Sequence, residues 1–235
     1  MFFPMFYDPT YFLVLIGVVL SMLAQGKVKS TFARYSQRRN ARGITGAETA
    51  ERILHGAGIY DVRIEHVSGN LTDHYDPRSK VLRLSDSVYG QNSVAAVGVA
   101  AHECGHAIQH AKGYAPLKIR SAIVPVANFG AKIAWPLIIF GLFFTSETSS
   151  LLINLGIIAF LFAVLFQVVT LPVEYNASNR AIRMIAETGL MQGEEIREAK
   201  KVLSAAALTY VAGAATAVLQ LLRIILLTGG RRRND

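Results

Sequence analysis

The chain has one cysteine, Cys104, in 235 residues, which excludes an intrachain disulfide and agrees with a reducing compartment. Acidic residues are also scarce: 16 Asp and Glu stand against 24 Lys and Arg, leaving a formal charge of +8. No internal repeat, low-complexity tract or Gly/Ser linker is visible, so solenoids and loosely tethered domain strings are excluded. Lys and Arg are missing from the first 26 residues, which removes the cationic opening of a secretory signal, and no convincing small-x-small cleavage site follows. An uncleaved anchor is therefore expected there. The basic excess does not read as nucleic-acid binding, because the chain lacks helix-turn-helix, base-stacking and zinc-finger patterns. The cations cluster beside apolar runs, where contact with anionic lipid headgroups explains them more simply.

What is abundant is apolar: 52% of residues are hydrophobic, more than an ordinary soluble enzyme carries. Four stretches account for it. Residues 11–24, with Met5 and Phe6 nearby, approach the roughly 20 residues a bilayer requires. Residues 123–145 form a second stretch containing Lys132, and residues 151–173 a third with no charge at all. The fourth, residues 205–227, carries Arg223 near its end, where a long side chain can snorkel to the interface. Basic residues orient the spans: Lys27, Lys29, Arg34, Arg38, Arg39 and Arg42 follow the first, so the polar region after it is expected in the cytoplasm. The loop Ser146-Glu147-Thr148-Ser149-Ser150 has no cation and fits the outer face, and Arg180, Arg183, Arg197, Lys200 and Lys201 return to the inner one. Four full crossings would leave Arg231, Arg232 and Arg233 outside, so either that tail is tolerated or the last helix does not fully span.

Between the first two spans the pattern is that of a folded unit. Residues 47–54 read as a short amphipathic helix ending near Gly56 and Gly58. Residues 62–67 and 80–85 alternate apolar and polar as half-buried strands do, with turn signals at Ser68-Gly69-Asn70 and Asp76-Pro77-Arg78-Ser79. A small antiparallel sheet is the expectation, and its edge could hold an extended peptide by main-chain hydrogen bonds. Asn92 and Ser93 then offer N-cap oxygens to a proline-free run over residues 94–111, with Gly113 placed for a left-handed C-terminal residue. Val94, Val97, Ala101 and Ile108 would line its buried side, and Gly98 and Gly105 suggest close packing.

Inside that helix stands His102-Glu103-Cys104-Gly105-His106. Residues four apart share a helical face, so both imidazoles can converge on one tetrahedral zinc ion while the Glu103 carboxylate reaches the attacking water. The plainer alternative is two polar imidazoles on a half-buried helix. Cys104 projects from another part of the helix and reads as a small packed residue. His110, one turn on, reads as exposed or as a supporting imidazole. A zinc peptidase needs a third protein ligand, and Glu174, at the cytoplasmic end of the third span, is the best candidate, against the alternative of an ordinary interfacial glutamate.

The stretches Ala100-Ala101-His102-Glu103-Cys104-Gly105-His106-Ala107 and Leu171-Pro172-Val173-Glu174-Tyr175-Asn176-Ala177-Ser178 resemble the bacterial neutral zinc metallopeptidases of the YugP type. That family is similar in layout to the membrane gluzincins that include HtpX and the CAAX prenyl proteases. The resemblance covers nearly the whole chain. It implies His102, His106 and Glu174 as ligands of one zinc ion per chain and Glu103 as general base. The wider group commonly has Asp four residues after the ligand Glu; here Ser178 stands there, which leaves Asn176, Ser178 and Asn179 as possible partners of the ligands. Tyr175, Arg180, His74 and Tyr210 are all conceivable oxyanion donors.

The expected fold is mainly α, a multi-span membrane helical bundle with a zincin-like unit of HExxH helix and small antiparallel sheet. The expected organisation is an anchor over 1–25, a cytoplasmic metallopeptidase region over 26–120, a transmembrane hairpin over 121–173, cytoplasmic helices carrying the third ligand over 174–204, and an apolar helix with a basic tail over 205–235. The expected function is hydrolysis of peptide bonds in unfolded or membrane-associated proteins, by a multi-pass protein of the cell membrane with its site on the cytoplasmic side. A catalytically silent zinc-binding scaffold is the rival, which an intact Glu103 disfavours, and a small transporter using Lys132 and Arg223 is a more distant one.

Overall fold

The computed structural model describes residues 8–144 and 147–229, and among these are six helices and three strands. The expectations placed on Met5, Phe6, Thr145, Ser146, Arg231, Arg232 and Arg233 lie outside the described residues. The helices are α1 Tyr11–Ser36, α2 Gly46–Gly56, α3 Val94–Ala111, α4 Ala115–Phe143, α5 Glu147–Glu187 and α6 Glu194–Gly229. The strands are β1 Arg63–Val67, β2 His74–Asp76 and β3 Val81–Ser85. The described residues form two compact units, one of Ala24–Lys118 and Pro172–Thr209, the other of Ile119–Leu171 with residues 8–23 and 210–229.

In the first unit, α2 begins with a capping box. The Thr45 hydroxyl accepts from the Glu48 amide at 3.2 Å, and the Glu48 carboxylate accepts from the Thr45 amide at 2.8 Å. That start points Ala50, Ile53 and Leu54 into the core, where all three are buried. The sheet is mixed, in the order β1-β3-β2, where the alternating runs suggested an antiparallel one. The chain leaves β1 without pairing back, forms the three-residue β2, turns at Asp76-Pro77-Arg78-Ser79, and sends β3 into the gap. β3 is therefore antiparallel to β2 and parallel to β1. As the central strand it buries Val81, Leu82, Leu84 and Ser85.

α3 starts and ends as expected, with the Ser93 hydroxyl accepting from the Ala96 amide at 3.1 Å and Gly113 in the left-handed region at φ 63°. Val94, Val97, Ala101 and Ile108 are all buried, but so are Ala95, Ala96, Ala100, Cys104, Ala107 and Gln109. The helix is thus enclosed on nearly every side. Gly105 makes this possible: a Cβ there would stand 2.5 Å from the carbonyl oxygen of Ala177 on α5. Gly98 plays no such part, since its Cβ would meet Ala199 at an ordinary 3.5 Å.

The second unit holds the apolar lengths of α1, α4, α5 and α6. All four helices are long and apolar enough to cross a membrane. α5 runs unbroken through Pro172, joining the third apolar stretch to the segment that carries Glu174, and α6 likewise joins a charged first half to an apolar second half. Small residues set the helix contacts here: a Cβ on Gly130 would lie 2.4 Å from the Ala159 carbonyl oxygen, and one on Gly156 would lie 2.9 Å from that of Ala134. Arg223 does not stand free to snorkel. Its guanidinium donates to Asp8 at 3.2 Å and lies 4.4 Å from the centre of the Tyr11 ring.

Candidate metal centre

α3 places His102 and His106 one turn apart, with ring centres separated by 4.8 Å and planes at 88°. α5 brings Glu174 against them, a pairing of residues 72 positions apart that the close approach at Gly105 permits. The Glu174 Oε2 atom lies 3.2 Å from His102 Nε2 and 3.5 Å from His106 Nε2. One nitrogen from each imidazole and one carboxylate oxygen all fall within 4.8 Å of one another. Glu174 is 2% exposed, and a carboxylate buried this far is costly unless opposite charge or donors meet it.

The hydrogen bonds behind the imidazoles settle which nitrogen faces the cluster. Arg180 Nε can only donate, so Asn176 turns its Oδ1 toward it at 2.7 Å. The same oxygen accepts from Gln109 Nε2 at 3.0 Å, and that amide also donates to the Val173 carbonyl at 2.8 Å. Gln109 must then present Oε1 to His106 Nδ1, 3.0 Å away, and only an N–H on Nδ1 can satisfy it. In the neutral ring, His106 Nε2 is left with its lone pair toward Glu174. His102 Nδ1 lies 3.1 Å from the Ser178 hydroxyl, which can either accept or donate and so anchors the ring with its Nε2 toward Glu174.

Burial by itself lowers the pKa of His106, but the hydrogen bond to Glu174 and the charge of Glu103 outweigh it and hold the imidazole above its usual 6.5. Two imidazole nitrogens, each with a partner behind its ring, and one carboxylate form a donor set that suits zinc, which takes four ligands in a tetrahedron.

The remaining expected residues are placed as follows. Glu103 is 8% exposed and adjoins the cluster through its charge on His106 without being one of its three converging groups. Cys104 is fully buried on the side of α2, its thiol 3.6 Å from the Ala50 carbonyl, and burial pushes its pKa up. His110 faces Tyr75 of β2, with Nδ1 2.9 Å from the phenolic oxygen. Burial, with the charges of Asp61 and Asp76, pushes that phenol up to about 12. Of the three possible partners of the ligands, Ser178 touches His102, Asn176 acts through Gln109, and Asn179 is exposed. Arg180 is engaged by Asn176 and the Tyr114 ring, His74 Nδ1 by the Thr72 carbonyl, and Tyr175 is exposed. Gln109 is the residue that sequence reading missed. Its signal was present: it lies three residues after His106, on the same helical face.

The chain is 49% identical over 224 residues to a protein of Bacillus subtilis (strain 168) named "Putative membrane protease YugP", a match covering 95% of this chain and 98% of that one. No solved structure matches it significantly. With a family match that runs over residues 10–229, the chain belongs to the family described as "Putative neutral zinc metallopeptidase".

Proposed function

We propose that this chain is an integral-membrane zinc endopeptidase that hydrolyses peptide bonds in unfolded or membrane-associated proteins, with its site on the cytoplasmic side. The observation that carries the reading is the convergence of His102 Nε2, His106 Nε2 and Glu174 Oε2, with Ser178 and Gln109 holding the opposite imidazole nitrogens. In this reading these three residues hold one zinc ion, which when bound polarises a carbonyl and makes water a stronger acid. Glu103 accepts a proton from the attacking water and delivers it to the nitrogen of the leaving amine as the C–N bond breaks. Its low exposure favours that exchange, because a carboxylate kept from bulk water holds the proton for the leaving group. Gln109 and Ser178 keep the imidazoles aligned. The sheet supports the substrate role: β2 is an edge strand beside α3, where an extended peptide can add main-chain hydrogen bonds.

The cytoplasmic placement rests on the absence of cations before Lys27 and their density after it. Impermeant maleimide should label Thr148→Cys in intact cells and Arg78→Cys only after permeabilisation, since native Cys104 is buried; the reverse pattern would invert the topology. The catalytic reading is tested by metal analysis and casein cleavage. Wild type and Glu103→Gln should both hold one zinc per chain, with cleavage lost about 10²- to 10⁴-fold in the variant. Equal cleavage by the two would remove Glu103 from the mechanism.

A further inference from the structure

A second site lies in the same unit as the metal centre but uses none of its residues. One face of α1 presents Lys27, Ser30, Thr31 and Arg34, at spacings of three and four. α6 answers with Arg197, Lys200, Lys201 and Ser204 at the same spacings, and the two faces bound a cleft of about 780 Å³. Five of the lining side chains are cations and none is acidic.

The acids at the start of α6 are already engaged. Glu194 is bonded by Arg197, Glu195 accepts from the Ala41 amide at 2.7 Å, and Glu198 pairs with Arg38 at 2.8 Å. Lys27, Arg34 and Lys200 form no salt bridge among the described residues, Arg34 lying 5.5 Å from the centre of the Tyr35 ring, while Lys201 shares the charge of Glu194 with Arg197. Five cations with a single shared carboxylate around one cleft repel each other, and an anion bound between them relieves that repulsion.

The chemistry of the walls narrows the anion. Hydroxyls from Thr31 and Ser204 supply neutral hydrogen-bond donors beside the cations, which suits the oxygens of a phosphate ester. The lining also includes Ala205 and Leu208, so it becomes apolar toward the end where α6 continues into its membrane-length stretch. Lys27, likewise, follows the apolar length of α1 directly. A free phosphate would use only the charged end. We propose that the cleft binds the headgroup of an anionic phospholipid, with the phosphodiester among Lys27, Arg34, Lys200 and Lys201 and the start of the acyl region against Ala205 and Leu208.

The test is thermal unfolding of the full-length protein in non-ionic detergent, titrated separately with dioleoylphosphatidylglycerol, dioleoylphosphatidylcholine and inorganic phosphate. Phosphatidylglycerol should raise Tm saturably, while phosphatidylcholine and inorganic phosphate at equal concentration should not. Lys200→Glu with Lys201→Glu should weaken the apparent affinity on the order of tenfold or more, whereas Arg78→Glu with Lys112→Glu, the same charge change elsewhere, should leave it intact. Lys27→Gln with Arg34→Gln on the facing helix should weaken it likewise, with an unchanged lipid-free Tm reporting that each variant is folded. An equal response to phosphatidylcholine, a full response to inorganic phosphate, or unchanged affinity in both cleft variants would overturn the proposal.

Discussion

In the unit that carries the candidate metal centre, large side chains such as Ile53, Leu82, Leu84 and Ile185 are fully buried beside the alanines of α3. In the apolar unit Ala127, Gly130, Ala134 and Gly141 are buried together with a few larger residues such as Ile138 and Ile224, while Phe129, Phe140 and Phe143 stand exposed. Water explains the first arrangement, since removing large apolar side chains from it is the main driving force of folding. Lipid explains the second: hydrocarbon solvates a phenyl ring as well as a protein core does, so helices associate through close backbone approach at small residues. One chain thus follows two packing rules, and the polar network around His106 belongs to the unit that obeys the aqueous one.

The largest effects should separate these rules. Leu82→Ala in the sheet should cost about 2–5 kcal/mol, through lost burial and the cavity left behind. Phe140→Ala, at a site 62% exposed, should change stability by less than about 0.5 kcal/mol in lipid. Denaturant unfolding of both variants in bilayer discs checks the contrast, and similar losses would erase it.

Glycine offers a finer version. Gly105→Ala pushes a methyl group to 2.5 Å from the Ala177 carbonyl and should destabilise by about 1–3 kcal/mol, with loss of bound zinc as α3 and α5 separate. Gly98→Ala meets only a 3.5 Å contact and should be neutral, or stabilising by up to about 1 kcal/mol through helix propensity. If both behave alike, packing against α5 is not what Gly105 secures.

Within the metal centre, Gln109→Ala should weaken zinc binding roughly 10- to 100-fold by freeing the His106 ring, and Ser178→Ala should do so less, because a hydroxyl can be replaced by water. Competition with a zinc-selective chelator measures both. The smallest effect is on pH. A metal ion must displace the proton that Glu174 and Glu103 favour on His106, and the raised pKa extends that competition to higher pH. Zinc affinity should therefore begin to fall on acidification while the pH is still above 6.5, by about tenfold per unit further down. A flat profile between pH 8 and 6 would contradict the proton held at His106.

Much of this was legible beforehand for a local reason. Helix α3 carries its own N-cap and its own terminating glycine, so its bounds follow from neighbours in sequence. The four apolar lengths follow from composition alone. β2 was not legible, because three residues hold no periodicity, and without it the parallel pairing of β1 with β3 could not be foreseen. The third span and the segment carrying Glu174 read as separate parts meeting at residues 173 and 174, yet one helix, α5, runs through both and through Pro172, since neighbouring groups can satisfy a freed backbone carbonyl in a long helix.

His102 and His106 share a face because a helix repeats every 3.6 residues, and that much the order of amino acids determines by itself. Which carboxylate meets them does not follow from any spacing. It depends on Gly105 admitting α5 to within contact of α3, and on Gln109 tying His106 to the Val173 carbonyl one residue before Glu174. Those are distances between segments far apart in the chain, and only tertiary packing decides them.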